Sequence, residues 1–500
     1  MKRFISLLLL LVLGLSLLSC EAFGPTFDAF VTTTEETTLD ETTPEATTPE
    51  GTTPAPEVTT PAPGGTTPEP DGKITITFYH TMGQSLQAVL NDAIARFNKL
   101  YPNITIEHKT LGDYDALRAQ ISTDILVGGQ PNVAYCYTDH VAFYNVAQVV
   151  QPLDSLIASV ATVTRADGTT EQIGLTQAQI DNFIDAFYNE GRQFGDGKMY
   201  TMPMSKSTEV LYYNKTFFEK HNLKVPTTWD EMEMVCKQIK EIDPHSIPLG
   251  YDSEANWFIT MCQQLNSPYT SATGEHYLFD NEINHAFVNK FASWYAQGLV
   301  TTQELAGAYT STLFTWEEGQ HGKCYMTIGS SAGARYQRPD KMNGEYAFEV
   351  GIAPIPQINP ADPKVISQGP SICIFKDSNE QEVLASWLFV KFLTTDVVFQ
   401  AEMAMTNGYV PVIKNVVKNE VYKAFLEDAD GGDGISALAA IMSLAQVNAY
   451  FTTPAFNGSS KVREEVGLLM QACFANYKAA GDKMAMIRDE FKKCIEECNY

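Results

Sequence analysis

The sequence predicts an α/β protein of two lobes that follows a secretion signal and a polar tether. Between residues 74 and 137, short apolar runs alternate with helical patterns, an order that favours parallel strands with helices on the faces of the sheet. A similar mixture returns after residue 200. The 428 residues beyond position 72 are enough to fill more than one hydrophobic core, which favours two lobes.

The first 20 residues have the form of a secretion signal. Basic residues at positions 2 and 3 precede an apolar run over 4–18, which is too short for a stable membrane span. The run leads into Leu17-Leu18-Ser19-Cys20, which resembles the lipobox of bacterial lipoproteins, although Leu18 is an unusual residue at its position. We therefore expect Cys20 to carry lipid and to hold the protein on the extracytoplasmic face of the cell membrane. An ordinary signal peptide with an incidental cysteine is the alternative.

Residues 21–72 predict a disordered tether. This stretch is built mainly from Thr, Pro, Glu, Gly and Ala, with eleven carboxylates and no Lys or Arg. It has little apolar surface to bury, so nothing offsets the entropy lost on ordering it. Frequent prolines and mutual charge repulsion extend such chains, and the tether could reach on the order of 100 Å from the membrane.

Charge and cysteine content limit the partners and the covalent chemistry. The net charge is −26, of which −17 belongs to residues 73–500, and an acidic body repels nucleic acid and anionic lipid. Eight cysteines follow Cys20 at irregular spacing, too sparse for a disulfide scaffold. Cys494 and Cys498 lie four residues apart on a helical stretch. They could form a disulfide or bind a metal, but no His is near, and buried thiols are the simpler interpretation.

The apolar positions predict the elements of the first lobe in order. Ile74, Ile76 and Phe78 alternate with polar residues, which predicts a strand. Apolar residues spaced by three and four between 86 and 97 predict a helix that ends before Pro102. The next elements follow in the same way: a strand at 104–106, a helix over 117–125 stopped by Gly128 and Gly129, and a strand over 133–137.

Helical patterns dominate the rest of the chain, at 229–241, 281–297, 380–393 and 462–494. The start of the first of these is the best defined. Pro226 fixes the direction of entry, Thr228 can cap the helix, and Glu231 three residues later completes a capping box. We interpret this motif as structural.

Several segments resemble the extracellular solute-binding proteins of ABC importers. The opening strand, with Ala-Arg-Phe-Asn over 95–98, looks like the start of that family. Its middle signature is matched by Asp-Gly-Lys-Met-Tyr over 196–200 and by Val-Leu-Tyr-Tyr-Asn-Lys over 210–215. Pro-Thr-Thr-Trp-Asp-Glu and Asn-Gly-Tyr-Val-Pro follow in the expected order, at 226–231 and 407–411. The similarity covers residues 73–500 and looks closest to carbohydrate and glycerol-3-phosphate binders.

The resemblance implies a bilobal periplasmic-binding-protein type II fold, in which two α/β lobes joined by hinge crossovers close over a small solute. The N-lobe would comprise residues 73–205 with about 365–408, and the C-lobe about 206–364 with 409–500. The implied partners are a carbohydrate-like small molecule and the subunits of an ABC permease. We expect a monomer that needs no cofactor and no metal.

The resemblance also implies ligand contacts at loops that follow strands, where α/β sheets bind ligands. Tyr114 and Asp139 align with ligand contacts of glycerol-3-phosphate binders; a packing tyrosine and a helix N-cap are the alternatives. Ser207 and Thr208 fit the Ser-Ser-Thr segment of those relatives, with a plain hinge turn as the alternative. Trp257 falls where relatives carry stacking tryptophans, although their second nearby tryptophan is missing from this chain.

The remaining candidates complete the implied ring around the ligand. They match binding turns of the same relatives: Ser330, Ser331, Gly333, Gly369 and Tyr409. Arg463 aligns with the arginine that meets an anionic group, and a guanidinium suits phosphate or carboxylate, though it also bonds sugar hydroxyls. A salt bridge on its own Glu-rich helix is the alternative. His80 is a further possible polar contact, with a strand-end histidine satisfied within the protein as the alternative.

Two other classes of function are alternatives to solute binding. Gly329 to Gly333 satisfy Gly-x-Ser-x-Gly, but all eight His residues precede Ser331, whereas α/β hydrolases require the base His downstream. No metalloprotease, phosphate-loop or dinucleotide motif occurs, so no catalytic residue is assigned. A surface carbohydrate-active hydrolase or lyase, with an unrecognised carboxylate pair, stays open. An adhesion lipoprotein displayed on its tether is the third alternative.

Overall fold

The computed structural model describes residues 72–315, 323–377, 379–428 and 434–499. The expected signal sequence, Cys20 and all but the last residue of the tether lie outside these ranges. In chain order the strands are β1 Ile74–His80, β2 Ile104–Thr110, β3 Val133–Cys136, β4 Thr162–Thr164, β5 Thr170–Gln172, β6 Met202–Pro203, β7 Ser207–Asn214, β8 Leu249–Tyr251, β9 Val300–Thr302, β10 Met326–Ser330, β11 Lys341–Met342, β12 Glu345–Tyr346, β13 Val350–Ala353, β14 Val365–Gln368, β15 Ser371–Ile374 and β16 Tyr450–Phe451.

The α-helices surround these strands. They are α1 Gln84–Leu100, α2 Tyr114–Val127, α3 Thr138–Tyr144, α4 Asp154–Ile157, α5 Gln177–Asn182, α6 Asp185–Glu190, α7 Lys215–His221, α8 Trp229–Ile242, α9 Glu254–Gln264, α10 Glu282–Ala296, α11 Gln303–Ala306, α12 Ser311–Phe314, α13 Glu380–Thr395, α14 Val397–Asn407, α15 Glu420–Glu427, α16 Gly434–Ala445, α17 Ser459–Asn476 and α18 Lys483–Cys498. In the described part of the chain no helix is both long and apolar enough to cross a membrane.

Two separate sheets define two α/β lobes, which confirms the predicted fold class. The first sheet has the order β2-β1-β3-β15-β6, with β1 parallel to both β2 and β3. The second has the order β16-β14-β7-β10-β8-β9, and β13 also pairs with β7. Strands β8, β9 and β10 are parallel, so their carboxyl ends share one edge.

Most predicted elements are present, with two differences. The helical pattern over 462–494 forms two helices, α17 and α18, because the chain turns before Asp482, whose side chain caps α18 by accepting from the Ala485 amide at 3.0 Å. Strand β14 pairs with β7 in the second sheet. The chain therefore returns to the first lobe at Gly369 rather than near residue 365. The predicted capping box of Thr228 and Glu231 is confirmed.

Three chain segments cross between the lobes and lie side by side. The link from β6 to β7 meets the segment after α14, where the Val410 amide donates to the Lys206 carbonyl at 2.6 Å. The link from β14 to β15 passes over the same place at Gly369, which has φ of +93°. A Cβ at this position would lie 2.6 Å from the Ser205 carbonyl oxygen. Close approach and backbone conformation both require glycine here.

A buried ion pair lies at this crossing, which we call the hinge. The Lys206 side chain is completely buried and its ammonium pairs with Glu190 of α6. The same Nζ donates to the Gly369 carbonyl oxygen at 2.9 Å and to Ser371 Oγ at 3.0 Å. Burial raises the pKa of Glu190, and the charge of Lys206 opposes that rise. One lysine thus joins α6 to two crossing segments.

The eight cysteines after Cys20 are free and buried, including Cys494 and Cys498. The contact with Cys498 and burial both raise the pKa of Cys494, so this thiol stays protonated at neutral pH. The interpretation of the pair as buried thiols agrees with the structure.

Candidate ligand-binding cleft

The helices that follow β2 and β3 of the first lobe lie against α17 of the second lobe. On the first lobe, Tyr114 follows β2, and Tyr137 and Asp139 follow β3. On the second, α17 faces these residues across the cleft. Arg118 of α2 donates from Nη1 to Ser460 Oγ of α17 at 2.9 Å, so the lobes are in contact along this side. The arrangement is the one in which open α/β sheets hold ligands.

Four tyrosines cluster on the wall of this cleft formed by the first lobe and the hinge. The ring of Tyr114 lies 6.0 Å from that of Tyr135, nearly parallel, and 4.5 Å from that of Tyr137. Tyr409 lies within hydrogen-bonding range of Tyr135, whose hydroxyl also meets Ser205 Oγ at 2.9 Å. Burial raises the pKa of all four phenols, so they stay neutral. The cluster combines apolar ring faces with hydroxyl groups, a surface suited to a polyhydroxylated ligand.

Asp139 lies in the first turn of α3, where its Oδ1 accepts from the His140 amide at 2.8 Å. Its side chain is 20% exposed, so part of the carboxylate is accessible to solvent and to a ligand. The negative charge of Asp139 contributes to the raised pKa of Tyr137, which places the two side chains in one electrostatic environment. Asp139 is therefore both a helix-terminal residue and a candidate ligand contact.

The serine and threonine candidates lie at the hinge edge of the second sheet, and several are occupied by protein contacts. Thr208 Oγ1 donates to the Ile366 carbonyl at 2.9 Å, and the Thr208 amide donates to Ser331 Oγ at 3.3 Å. Both side chains are completely buried. Ser207 is buried at the start of β7, and its backbone pairs with β14. Ser330 is half-buried, and its Oγ accepts from the Ala332 amide at 3.3 Å.

The two glycines among the candidates have different surroundings. Gly369 belongs to the hinge, where its carbonyl accepts from Lys206. Gly333 is partly exposed in the turn after β10, and no atom lies within 4 Å of a Cβ built on it. The structure therefore leaves open space beside Gly333, whereas Gly369 allows the chain segments of the hinge to approach closely.

Trp257 does not line the cleft, contrary to expectation. Its side chain is completely buried in the core of the second lobe. The ring stacks on Tyr251 at 4.8 Å and packs against Phe291 at 4.4 Å and Phe474 at 5.8 Å. An aromatic residue in α9 can face either the ligand or the core. Here the packing of α9 against α10 and α17 buries the Trp257 ring in the core.

His80 has a structural role, which was the alternative to a ligand contact. It is buried at the end of β1, with Nε2 at 2.9 Å from His108 Nδ1. Its Nδ1 accepts from the Met82 amide at 3.1 Å, so both ring nitrogens are used within the protein. Burial lowers the pKa of His80 to about 4, and His108 contributes to the shift. The imidazole is neutral at physiological pH and has no nitrogen left for a ligand.

Arg463 belongs to a polar chain that the sequence analysis did not detect. Its guanidinium donates from Nη2 to Asn256 Oδ1, while Asn256 Nδ2 donates to Glu209 Oε1 at 2.9 Å. Glu209 is buried on β7, opposite Ser330 of β10, and also accepts from the Tyr251 hydroxyl at 2.5 Å. Burial raises the pKa of Glu209 to about 7, although its hydrogen bonds and Arg463 oppose the rise. The charge of Arg463 also opposes the rise in the pKa of Tyr137, so the guanidinium lies within electrostatic range of the tyrosine cluster.

The described residues contain no cluster of three or more His, Cys, Asp or Glu side chains that could hold a metal ion. The cleft instead offers neutral phenols, the Asp139 carboxylate and the Arg463 guanidinium. This set can bind hydroxyl groups and one anionic group without covalent chemistry.

Comparison with known proteins agrees with this geometry. The family model for bacterial extracellular solute-binding proteins matches residues 92–427. The chain therefore belongs to the bacterial extracellular solute-binding proteins, and its folded part works outside the cytoplasm. The sn-glycerol-3-phosphate-binding periplasmic protein UgpB of Rhizobium meliloti is 27% identical over 260 residues, which cover 50% of this chain and 56% of that relative.

Solved structures share the fold at low sequence identity. The sugar-binding protein MalE of Xanthomonas citri has a TM-score of 0.66 at 17% identity, over 85% of this chain and 97% of its own. UgpB of Mycobacterium tuberculosis, solved with glycerophosphocholine, has a TM-score of 0.64 at 16% identity, over 86% of this chain and 99% of its own. These similarities confirm the expected bilobal type II fold.

Proposed function

We propose that this protein is the lipid-anchored solute receptor of an ABC uptake transporter. It captures a carbohydrate-like ligand between its lobes and delivers it to the permease without chemical change. The ligand class comprises sugars, oligosaccharides and glycerol-3-phosphate derivatives. The name of the similar Rhizobium protein and the ligand of the mycobacterial structure support this class.

The observation that carries the proposal is the tyrosine cluster of Tyr114, Tyr135, Tyr137 and Tyr409, with the Arg463 guanidinium within electrostatic range of it. Aromatic faces pack against the C–H surfaces of sugars, and phenol hydroxyls bond to ligand hydroxyls. We add Asp139 and the open turn at Gly333 to the binding site. His80 and Trp257 are left out because they are buried among protein partners, and Thr208, Ser331 and Gly369 act by positioning the hinge.

A thermal-shift screen tests the proposed ligand class. The probes are maltose, maltotriose, glycerol-3-phosphate and glycerophosphodiesters, with glutamate as an unrelated anion. A ligand at one hundred times its Kd stabilises the native state by about 2.7 kcal/mol, which raises the Tm measurably. No shift with any sugar or glycerol phosphate would contradict the proposal. Release of products from the same compounds would favour the hydrolase or lyase.

Asp139→Ala tests the site. We expect it to weaken the best ligand at least tenfold, about 1.4 kcal/mol, in isothermal titration. Asp489→Ala is the matched control, because that carboxylate is exposed on α18 outside the cleft. Equal affinity of both variants and the unmodified protein would remove Asp139 from the site.

Anchoring and assembly are tested separately. We expect a Cys20→Ser variant to lose incorporation of a labelled fatty acid and to leave the membrane fraction. Release of this variant together with unchanged ligand binding would show that lipid and cleft act independently. Light scattering should give the mass of a monomer.

A further inference from the structure

The amide of Asn256 can take only one orientation between its two neighbours. Its Nδ2 donates to Glu209 Oε1, which leaves Oδ1 to accept from the guanidinium of Arg463. The reversed amide would point a donor at the guanidinium, which has no acceptor, and an oxygen at the Glu209 oxygen. Glu209 therefore fixes Asn256, and Asn256 fixes the position of Arg463 at the cleft.

The protonation state of Glu209 decides how much of the positive charge of Arg463 is available to a ligand. Around it lie five groups: Tyr251 of β8, Asp252 directly after β8, Asn256 of α9, Gln368 of β14 and Arg463 of α17. Among these described groups Arg463 is the only cation. When Glu209 is ionised it balances the charge of Arg463, and Asp252 adds a further negative charge. When Glu209 is neutral, the positive charge of Arg463 is available to an anionic group.

Resting on the proposed function, we propose that Glu209 is a positioning residue that orients Arg463 through Asn256 and takes up a proton when the cleft binds a ligand with an anionic group. The group is a phosphodiester or a carboxylate, which a guanidinium binds well. Proton uptake would couple the choice between anionic and neutral ligands to pH.

The protonated state keeps the contacts seen in the structure. The proton comes from solvent and resides on Oε2, which then donates to the oxygen of the Tyr251 hydroxyl. Oε1 still accepts from Asn256 Nδ2, so the orientation of Asn256 and Arg463 does not change. No bond in the protein or the ligand breaks. Burial favours the neutral acid, and the ligand's negative charge favours it further.

Isothermal titration of the unmodified protein counts the protons. Titrations at about pH 7.5 in buffers of different ionisation enthalpy should show uptake of roughly 0.5 to 1 proton per anionic ligand. The probes are glycerophosphoglycerol, glucuronate and, as a neutral control, maltose. A phosphate monoester is avoided because its second ionisation, near about pH 6, would overlap with that of Glu209. Binding of maltose should cause no proton uptake by the protein.

Variants assign the proton to one carboxyl group. The affinity of the unmodified protein for the anionic probe should fall about tenfold between about pH 7 and pH 8.5, whereas Glu209→Gln should keep the higher affinity throughout. Glu254→Gln is the matched control, since Glu254 is buried at the start of α9 and burial raises its pKa as well. The control should follow the unmodified protein.

The outcomes separate this inference from the proposed function. Binding of the anionic probe without proton uptake would overturn the inference, as would a Glu209→Gln variant with unchanged pH dependence. Binding of maltose but of neither anion would also overturn it and would leave the proposed function standing. Failure of every probe to bind would overturn both.

Discussion

Replacing Lys206 by methionine should destabilise the protein by about 3–5 kcal/mol, because one partner of a buried ion pair is removed. Methionine retains a long apolar side chain, so the change removes the charge and the three hydrogen-bond donors with little loss of volume. Glu190 is left without its cation, and the Gly369 carbonyl and Ser371 Oγ lose the donor that each receives at 2.9 and 3.0 Å.

The magnitude follows from two contributions. A buried acceptor left without a donor costs about 1–3 kcal/mol, and the Gly369 carbonyl is such an acceptor. The Glu190 carboxyl must also become neutral, and each unit by which its pKa rises further above the unfolded value of 4.5 costs about 1.4 kcal/mol at neutral pH. In this variant the native state binds the extra proton, so the free energy of unfolding falls as pH rises from 4.5 to the raised pKa.

Urea unfolding followed by circular dichroism measures the effect. The loss in free energy of unfolding should be smaller at about pH 5 than at about pH 8, because protonating the Glu190 carboxyl costs less at the lower pH. Lys198→Met, at an exposed lysine, is the control and should change stability by less than about 0.5 kcal/mol. The double variant Lys206→Met/Glu190→Gln should lose less than the sum of the single variants. Strict additivity, or a stable Lys206→Met variant, would refute the assignment of the hinge pair.

Three further substitutions test the structure. Trp257→Ala should lower the free energy of unfolding by about 3–5 kcal/mol in urea titrations while the folded fraction keeps its ligand affinity, since the ring packs in the core. Gly369→Ala should lower the Tm, because φ of +93° and a contact of 2.6 Å with the Ser205 carbonyl cost more than about 1 kcal/mol together; an unchanged Tm would contradict this. The neutral, buried His80 should make stability fall as pH drops from 6.5 to about 4, by roughly 3 kcal/mol at most. His80→Phe should flatten that pH profile.

The first lobe could be predicted well because its signals are local. Ile74, Ile76 and Phe78 alternate along β1 and are all buried, as the two-residue period of a strand requires. The helix over 84–100 has its apolar residues on one face, and it ends where Pro102 follows. Strands and helices in strict alternation leave parallel pairing as the simplest topology, and β1 is parallel to β2 and β3.

The roles of Trp257 and His80 could not be predicted in the same way. His80 is the last residue of β1, and Trp257 lies in the helix that follows β8. At such places a ligand contact and a packing residue give the same pattern. Trp257 is buried by Phe291 and Phe474, which come from helices far away in sequence. His80 contacts His108 diagonally, because the pairing of β1 with β2 places Phe78 opposite His108 and His80 opposite Thr110. This register is a property of the folded sheet.

Lys206 and Glu209 were missed because charged residues beside a strand predict an exposed edge. The run Ser205 to Glu209 is polar, and a hinge turn was the natural interpretation. Both charges are in fact buried, because their partners Glu190, Asn256 and Arg463 come from three other elements. The sequence contains no local signal for such pairing.

The buried carboxyl groups of Glu190 on α6 and Glu209 on β7 have different partners, and the difference fits their roles. Glu190 contacts its cation directly, so the ammonium of Lys206 is fully used in holding the hinge together. Glu209 reaches Arg463 only through Asn256, and within the described residues the hydrogen bond of Arg463 goes to that amide. A guanidinium has five N–H donors, so the indirect arrangement orients Arg463 while leaving donors for a ligand. A direct Glu209–Arg463 pair would have occupied those donors, which is why an intervening amide suits a cleft that must bind and release.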